Sequence, residues 1–312
     1  MTSYETYKKP IVQPITYRNN MYRANKWIKP FLEGRDIREF RAIDCQEVMN
    51  NMAKSPYVNS KDMYRKVMQM LKFAFSMAVE NELIEKSPAE SIVVPKGTKM
   101  TKRSITEEER KAVYIAAGKR QEFLYFLFML ECGLRPSEAA GIKGGDINRK
   151  TRMLHVRGTK TENALRYVPI PGTLLEKVPD VPDEDYLFTN HAGNYLDENG
   201  RNNLWKRFWK QLNIVMGCKM DGRQLMPPYP LASDFTPYCL RHTFATDCAK
   251  KGIDVRVVQR LMGHSSITIT SNIYTHVDDE MLEEAAELME KPVPQKKKNG
   301  EMTSEERMGA NA

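Results

Sequence analysis

Hydrophobic residues recur at helical spacing through much of the 312-residue chain. In the first hundred residues, three segments show this pattern, and each predicts an amphipathic helix: TYRNNMYRANKWIKPFL, DCQEVMNNMAK and SKDMYRKVMQMLKFAFSMAVENEL. The first helix is expected to stop by Gly34, and the second to begin with Asp44 as its N-cap. The pattern therefore predicts an all-helical domain at residues 15–95, preceded by an N-terminal extension at 1–14.

A basic stretch without periodicity, VVPKGTKMTKRS, follows this domain, and we assign residues 96–104 to a linker. Helical periodicity returns at TEEER, where Thr106 and Glu109 have the spacing of a capping box. A strongly apolar helix, EFLYFLFMLEC, is expected to end at Gly133. The segments MLHVRGTK and LRYVPIP predict a β-hairpin, which is the only convincing β region in the sequence.

Helical patterns resume from about Arg201 and end with the amphipathic segment DDEMLEEAAELME. The polar residues 291–312 are expected to be disordered. The predicted fold class is therefore mainly α with a small antiparallel β-sheet. It comprises a helical domain at 15–95 and an α+β domain at 105–290.

Charge and cysteine usage restrict the function classes. Residues 1–100 contain 17 Lys and Arg against 11 Asp and Glu, whereas residues 101–290 contain 26 of each. This asymmetry favours a polyanionic partner gripped from the N-terminal side, and ordinary solubility charge explains it equally well. The five cysteines form no CxxC pair, so we expect buried, reduced thiols and no zinc site. No apolar run approaches the roughly 18 residues of a membrane span, which predicts a soluble intracellular protein.

Several segments contain polar residues that the local structure does not require. They are Arg135 in CGLRPSEA, Lys160 in RGTKTENALRYVPI, Tyr238 and Arg241 in TPYCLRHTFAT, His264 in LMGHSS and Tyr274 in SNIYTH. Pro136 places Arg135 just before a helix N-terminus, where its guanidinium adds donors for phosphate oxygens. Each of the others has an ordinary explanation when taken alone: a solvated turn, a histidine that binds carbonyls at a helix end, or a core tyrosine.

Taken together and in this order, GLRPSE, the GTK hairpin, LRHTFAT, LMGHSS and NIYTH resemble the motifs of the tyrosine recombinase (phage integrase) family. LKFAFSMAVENELIEKSPAE is similar to the end of that family's core-binding domain, so the resemblance spans about residues 15–290. It implies a helical, SAM-like core-binding domain followed by an α+β catalytic domain. It also implies site-specific DNA recombination for a phage or mobile element through a 3′-phosphotyrosine, with no metal, other cofactor or ATP.

The resemblance further implies roles for individual residues. Arg135 and Arg241 would hold the scissile phosphate and stabilise its developing charge. Tyr274 would be the nucleophile, and Lys160 would protonate the departing 5′ oxygen. His264 would hydrogen-bond a non-bridging oxygen, and Glu138 in RPSE matches an acidic residue of the family that orients neighbouring side chains. No metal ligand is expected among these residues.

Two features of the sequence depart from simple expectation. Tyr238 stands where the family motif His-x-x-Arg usually has its histidine, and three residues before Arg241. Because a phenol is a poor base near neutral pH, we expect Tyr238 to donate a hydrogen bond to the phosphate. The segment SITITSNIY alternates in polarity, which by itself suggests a strand, whereas the resemblance implies helices. We expect tertiary context to favour the helix.

The expected partners are double-stranded DNA with inverted-repeat core sites, further copies of the chain, and an accessory directionality factor. Dimers to tetramers would form on DNA through a C-terminal helix at 280–290, in the bacterial cytosol or nucleoid. Basic residues in the first hundred positions and the linker would contact DNA phosphates, with a solvated helix face as the competing explanation. These residues are Lys61, Arg65, Lys72, Lys96, Lys99, Lys102 and Arg103.

Two alternatives to a recombinase remain open at the level of sequence. A type IB topoisomerase-like enzyme would use the same chemistry on one strand as a monomer. A DNA-binding regulator would retain the catalytic residues only as relics. The final amphipathic segment favours the recombinase, and the complete set of motif residues argues against the regulator.

Overall fold

The computed structural model describes residues 6–55, 60–97, 103–158 and 165–274. The chain separates into two compact units, Met1–Thr101 and Lys102–Ala312. The segment predicted as a C-terminal helix, 280–290, and the predicted tail lie outside the described residues. Among the helices that the structure describes, none combines the length and the apolar character needed to cross a bilayer.

The first unit is helical, in agreement with the prediction. Its elements are α1 (Pro14–Arg23), a π-helical turn (Ala24–Ile28), α2 (Lys29–Leu32), α3 (Ala42–Lys54) and α4 (Lys61–Glu80). Its core consists of buried side chains from three of these segments and includes Trp27, Cys45, Val48, Met52, Val67, Leu71 and Phe75. The opposite, polar face of α4 is exposed, so the long helix is amphipathic as its sequence indicates.

The start of α3 differs from the prediction. Asp44 is not the N-cap, because the helix begins at Ala42 and Arg41 precedes it. The Asp44 carboxylate lies in the first turn and accepts a hydrogen bond from the backbone N–H of Arg41 (2.7 Å). An acidic side chain in this position satisfies a free N–H and interacts favourably with the helix dipole. The chain reversal after α2 is at Gly34, which has a φ of +80°.

The second unit contains the following helices: α5 (Glu107–Ala117), α6 (Leu124–Glu131), α7 (Pro136–Ala140), α8 (Gly172–Leu175), α9 (Glu198–Val215), α10 (Pro237–Lys250), α11 (Val255–Met262) and α12 (Ile267–Tyr274). The apolar helix α6 is buried on all sides. Its Phe126 stacks on Phe208 of α9 with ring centroids 3.9 Å apart. A helix that is apolar all round forms the centre of a domain. Here α5 and α10 pack against α6, and α9 packs against it through the rings of Trp205 and Phe208.

A three-stranded antiparallel sheet lies in the same unit, with strands β1 (Ile147–Asn148), β2 (Met153–Val156) and β3 (Arg166–Pro169) in sequential order. The β2–β3 pairing confirms the predicted strands, and its register aligns Leu154 with Val168. The turn with Lys160 lies outside the described residues. The structure adds β1 and a small hairpin, β4 (Met220–Asp221) and β5 (Gln224–Leu225), which the sequence analysis missed because two-residue strands show no periodicity.

The predicted helix boundaries of this unit are mostly correct. Thr106 is the N-cap of α5: its hydroxyl accepts from Glu109 N, and Glu109 accepts from Thr106 N. Thr236 precedes Pro237 at the start of α10 as expected, but its side chain makes no capping bond to a backbone N–H. Its hydroxyl instead lies 3.6 Å from Cys239 Sγ. All five cysteines are buried and free, as predicted.

Candidate active site

The end of helix α11 collects three arginines that are far apart in sequence. Each donates a hydrogen bond to one of the last backbone carbonyls of this helix. The pairs are Arg166 Nε to Leu261 O (2.7 Å), Arg241 Nη2 to Met262 O (2.6 Å) and Arg135 Nη2 to Gly263 O (2.7 Å). Helix C-termini leave carbonyls without partners and carry partial negative charge, so guanidinium groups satisfy and stabilise this end.

The buried carboxylate of Glu138 in α7 binds the same three arginines. Its oxygens accept from Arg135 Nη1 (2.6 Å) and from Arg166 Nη1 and Nη2 (3.1 and 2.8 Å). Arg241 Nη1 lies 3.6 Å from the same carboxylate. Burial by itself would raise the pKa of Glu138, but hydrogen bonding and charge from Arg166, with further contributions from Arg135, lower it to about 2. The carboxylate is therefore ionised, and three positive groups surround one negative group.

Gly263 allows this close approach. It is the C-cap of α11 in the left-handed conformation, with a φ of +62°. A Cβ atom at this position would lie 2.8 Å from Arg166 Nη1 and 3.3 Å from Arg135 Nη1. Backbone conformation and lack of space therefore both require glycine here.

Arg241 is held inside the protein. Arg241 is only 4% exposed. Its Nη1 also donates to Gly133 O (2.5 Å), just after the end of the core helix α6. Burial, together with the positive charge of Arg135, lowers the pKa of Arg241 to about 9, while Glu138 acts in the opposite direction. The guanidinium therefore remains positively charged at neutral pH. Arg135 is more accessible, with its side chain 33% exposed.

His264 follows Gly263 directly and lies beside this cluster. Burial and then the charges of Arg241 and Arg135 lower the pKa of His264 to about 4, so the ring is neutral at physiological pH. Its Nδ1 is 2.9 Å from Oγ1 of the fully buried Thr270 in α12. The backbone of His264 is fixed by Gln259, through His264 N to Gln259 O (3.1 Å) and Gln259 Nε2 to His264 O (3.2 Å).

Tyr238 lies in the first turn of α10 and is 43% exposed, in contrast to the buried Arg241 one turn later. Tyr238 and Arg241 lie three positions apart on α10 and therefore on the same side of the helix. The structure therefore places Tyr238 at the exposed edge of the cluster. Tyr274 is the last residue of α12, one helical turn after Thr270, and only its backbone is described. The helix at this position confirms the expectation that tertiary context overrides the alternating pattern.

Arg103 does not extend from a linker as the sequence analysis expected. Its guanidinium pairs with Glu109 (2.7 Å to each oxygen) and with Asp234. The pKa of Arg103 is raised by these bonds, chiefly by the one to Glu109. Ser104 and Ile105 also bond to α10, through Thr246 and Thr243 respectively. The donors of Arg103 are therefore engaged within the unit, which argues against Arg103 as a phosphate contact.

The other sequence-predicted basic residues fall into two groups. Lys61, Arg65, Lys72 and Lys96 are all exposed in the first unit. Lys99, Lys102 and Lys160 lie outside the described residues. Within the part of the chain that the structure describes, no group of three or more His, Cys, Asp or Glu residues is arranged to hold a metal ion.

Arg166 is the cluster residue that the sequence analysis missed. It is 5% exposed and begins β3, where Arg166 and Val168 face the core while Tyr167 faces outward. The signal was available in LRYVPIP, since strand alternation places the arginine on the same face as the valine. A charged residue on a core-facing position indicates a buried partner, and here that partner is Glu138.

Comparison with known proteins identifies the family of this site. Residues 103–281 match the model described as "Phage integrase family", and residues 1–53 match "Phage integrase, N-terminal SAM-like domain". The chain belongs to the phage integrase family. It is thus a tyrosine recombinase, an enzyme that cleaves and rejoins DNA strands, as the resemblance in the sequence implies.

Relatives and solved structures agree with this assignment. Tyrosine recombinase XerA of Pyrococcus furiosus is 34% identical over 228 residues, which cover 71% of this chain and 72% of the relative. Tyrosine recombinase XerC of Chlamydia trachomatis serovar D is 29% identical over 228 residues, covering 70% of this chain and 68% of the relative. These relatives are named recombinases, so the topoisomerase-like and regulator alternatives are not favoured.

Two solved structures share the fold at low sequence identity. The Tn1549 transposon integrase in complex with circular intermediate DNA has a TM-score of 0.70 and 21% identity, and the match covers 93% of this chain and 97% of that chain. A lambda integrase dimer bound to a COC′ core site has a TM-score of 0.64 and 17% identity, with coverage of 88% and 95%. The fold is therefore that of the integrase family, mainly helical with small antiparallel sheets.

Proposed function

We propose that this recombinase serves a phage or other mobile element and cuts DNA at inverted-repeat core sites, with the cluster around Glu138 as its phosphate site. The observation behind this proposal is the charge balance: Arg135, Arg166 and Arg241 surround a single carboxylate. The cluster thus has an excess of two positive charges. A phosphodiester supplies one negative charge, and attack on phosphorus builds more negative charge on its non-bridging oxygens.

The three arginines are suited to different tasks. Arg135 combines partial exposure with fixed contacts to Glu138 and Gly263, so its remaining N–H groups can reach a phosphate. Arg241 is more deeply buried, and a DNA phosphate that enters the cluster would contact its outer edge and experience its full charge. Arg166 is nearly inaccessible and binds Glu138 through two bonds. Its task is to hold the carboxylate that aligns the other two.

The reaction assigned to this site transfers a phosphoryl group twice. Tyr274 loses its proton to solvent as its Oη attacks phosphorus, the bond between phosphorus and the 5′ oxygen breaks, and Lys160 donates a proton to that oxygen. The product is a 3′-phosphotyrosine and a free 5′ hydroxyl. Attack by a 5′ hydroxyl reverses the step and releases the tyrosine, so no ATP is consumed. The neutral His264 would donate a hydrogen bond to a non-bridging oxygen.

Tyr238 is proposed as an additional hydrogen-bond donor to the phosphate. Its exposed position beside Arg241 supports this role. A neutral phenol can donate a hydrogen bond to a phosphate oxygen but is a poor base for Tyr274.

DNA binding outside the catalytic site is assigned to basic residues of the first unit. Lys61, Arg65 and Lys72 lie on the exposed face of α4, and Lys96 is exposed at the end of the unit. Lys99 and Lys102 would extend this contact along the linker. Non-specific phosphate contacts of this kind predict binding that weakens steeply with salt. Assembly of dimers to tetramers on DNA through residues 280–290, an accessory directionality factor and action in the bacterial cytosol complete the proposal.

A nicked suicide substrate tests the central assignment. On such a site the parent protein should accumulate a protein–DNA adduct that resists denaturation, because the short cleaved fragment diffuses away with its 5′ hydroxyl and rejoining is prevented. Tyr274→Phe should form no adduct while its DNA affinity stays within about threefold, since only the nucleophilic oxygen is removed. A covalent adduct formed by the Phe variant would show that another residue is the nucleophile.

A further inference from the structure

The hydrogen bond between His264 and Thr270 raises the question of which group donates. His264 Nδ1 and Thr270 Oγ1 are 2.9 Å apart, and either can supply the proton. A neutral imidazole has one N–H and one acceptor nitrogen. If Nδ1 donates to the hydroxyl, Nε2 is an acceptor; if the hydroxyl donates to Nδ1, Nε2 carries the proton. Only the second arrangement offers an N–H to a phosphate.

The surroundings of Thr270 favour the second arrangement. Thr270 is completely buried. Two other helical threonines, Thr243 and Thr246, donate to the carbonyl four residues earlier, at 2.7 and 3.2 Å. In the part of the chain that the structure describes, Thr270 makes no such bond, and His264 Nδ1 is the partner of its hydroxyl. A buried hydroxyl proton without an acceptor is costly, so the hydroxyl should direct its proton to Nδ1.

We propose that Thr270 is a positioning residue that donates to His264 Nδ1 and thereby holds the imidazole in the tautomer with hydrogen on Nε2. His264 then presents a fixed N–H donor beside Arg135 and Arg241. The inference rests on the proposed role of His264 at the phosphate. It also links that donor to α12, the helix on which Tyr274 lies one turn after Thr270.

A single side-chain hydrogen bond is sufficient to fix the orientation and the tautomer of the His264 ring. The backbone of His264 is already fixed by two hydrogen bonds with Gln259, so the rotation of the ring and the location of its proton are what remain to be set. The depressed pKa of His264 keeps the ring neutral at physiological pH, where the tautomer determines whether Nε2 donates or accepts.

The tautomer can be measured directly by NMR on the full-length protein labelled with ¹⁵N-histidine, without DNA. The chain has five histidines, and the spectrum of His264→Gln identifies the signals of His264. We expect a pyridine-type shift for Nδ1 and a pyrrole-type shift for Nε2, and a mixture of tautomers in Thr270→Val. A pyrrole-type Nδ1 in the parent protein would overturn the proposal.

Cleavage kinetics provide the second measurement. In single-turnover cleavage of the suicide substrate, Thr270→Val should be about tenfold slower with unchanged DNA affinity, the scale of one lost hydrogen bond. Thr270→Ser should restore the rate to within about threefold, because the hydroxyl is sufficient. Thr268→Val makes the same change at an exposed position of α12 and serves as the control, with the parent rate expected.

Other outcomes are equally informative. A parent-like rate in Thr270→Val, or a Thr270→Ser variant as slow as the Val variant, would leave Thr270 as a packing residue and refute the positioning role. The NMR result does not depend on Tyr274 or on cleavage. Failure of the proposed nucleophile and failure of the tautomer assignment are therefore distinguishable.

Discussion

Replacing Glu138 by Gln should have a large effect on stability for a change of one atom. The carboxylate accepts bonds from Arg135 and Arg166 and lies 3.6 Å from Arg241, and its side chain is only 3% exposed. Glutamine preserves the shape, but it removes the negative charge and directs an amide N–H₂ toward guanidinium donors. Three positive groups would then remain close together around an uncharged side chain.

Two routes give the magnitude. Breaking a buried ion pair by neutralising one partner costs about 3–5 kcal/mol in typical cases. Separately, the pKa of Glu138 falls from 4.5 to about 2, and at about 1.4 kcal/mol per pKa unit the ionised group contributes about 3 kcal/mol. We therefore expect Glu138→Gln to lower the free energy of unfolding by about 3 kcal/mol at pH 7, or to lower Tm by about 6–12 °C.

The sign of the pH dependence follows from the depressed pKa. The contribution of Glu138 is complete above pH 4.5 and is lost as the pH falls toward 2. The difference between parent and variant should therefore narrow by about 1.4 kcal/mol at pH 3.5. Urea unfolding followed by tryptophan fluorescence measures this difference, because two of the three tryptophans, Trp205 and Trp209, lie in the second unit together with Glu138.

Glu109→Gln is the matched control. Glu109 is equally buried, and its carboxylate pairs with one arginine, Arg103, whose side chain is 30% exposed. Its loss should cost about half as much as the loss of Glu138, in the range of about 1–2 kcal/mol for a hydrogen-bonded charge. Two results would refute the view that the charge of Glu138 holds the three arginines together. One is an equal loss of unfolding free energy in the two variants, and the other is a loss in Glu138→Gln that does not become smaller at acidic pH.

Three further predictions concern the site. Lys160→Ala should slow cleavage strongly with a normal substrate and much less when sulfur replaces the bridging 5′ oxygen, because a thiolate leaves without an acid; equal defects on both substrates would remove the acid role. Tyr238→Phe should slow cleavage by about 10- to 100-fold while Tyr238→His keeps substantial activity, as one donor to a developing charge is lost and replaced; a Phe variant as fast as the parent would make Tyr238 a packing residue. Gly263→Ala should lower the free energy of unfolding by more than about 1–2 kcal/mol, which is the cost of a non-glycine residue in the left-handed conformation. The additional loss arises because its Cβ would also clash with Arg166. Gly252→Ala, with a φ of +66° and open space around the Cβ, shows the backbone cost alone in the same thermal unfolding measurement, and equal losses would argue against the clash.

Helices and the main hairpin could be predicted because their signals are local. Hydrophobic periodicity predicts α4, and a capping box predicts the start of α5. The two residues of that capping box, Thr106 and Glu109, are only three positions apart. The alternating segment of α12 is the exception among helices. There the local pattern favours a strand. The helix is stabilised by contacts that form only in the folded state, such as the one between Thr270 and His264.

The site was predictable only in part, for a related reason. The motif residues could be named from the sequence, but their partners are separated by long stretches of chain. Arg166 finds its carboxylate 28 residues earlier, and Arg103 pairs with Asp234, 131 residues later. Neither pairing has a periodic signal. The burial of Arg241 was likewise not evident, because its acceptors are backbone carbonyls of Gly133 and Met262, which any residue type could provide.

The carbonyls at the end of α11 also affect the order of events during synthesis. Arg135 is made 128 residues before Gly263, whose carbonyl it binds. At about 5–20 residues per second, a ribosome needs about 6–26 s to cover that distance. During this interval the arginines have no helix end to gather around, and Tyr274 has not yet been added. A growing chain that already contains its first, helical unit therefore still lacks a complete arginine cluster, and the cluster is completed only when α11 has emerged and docked.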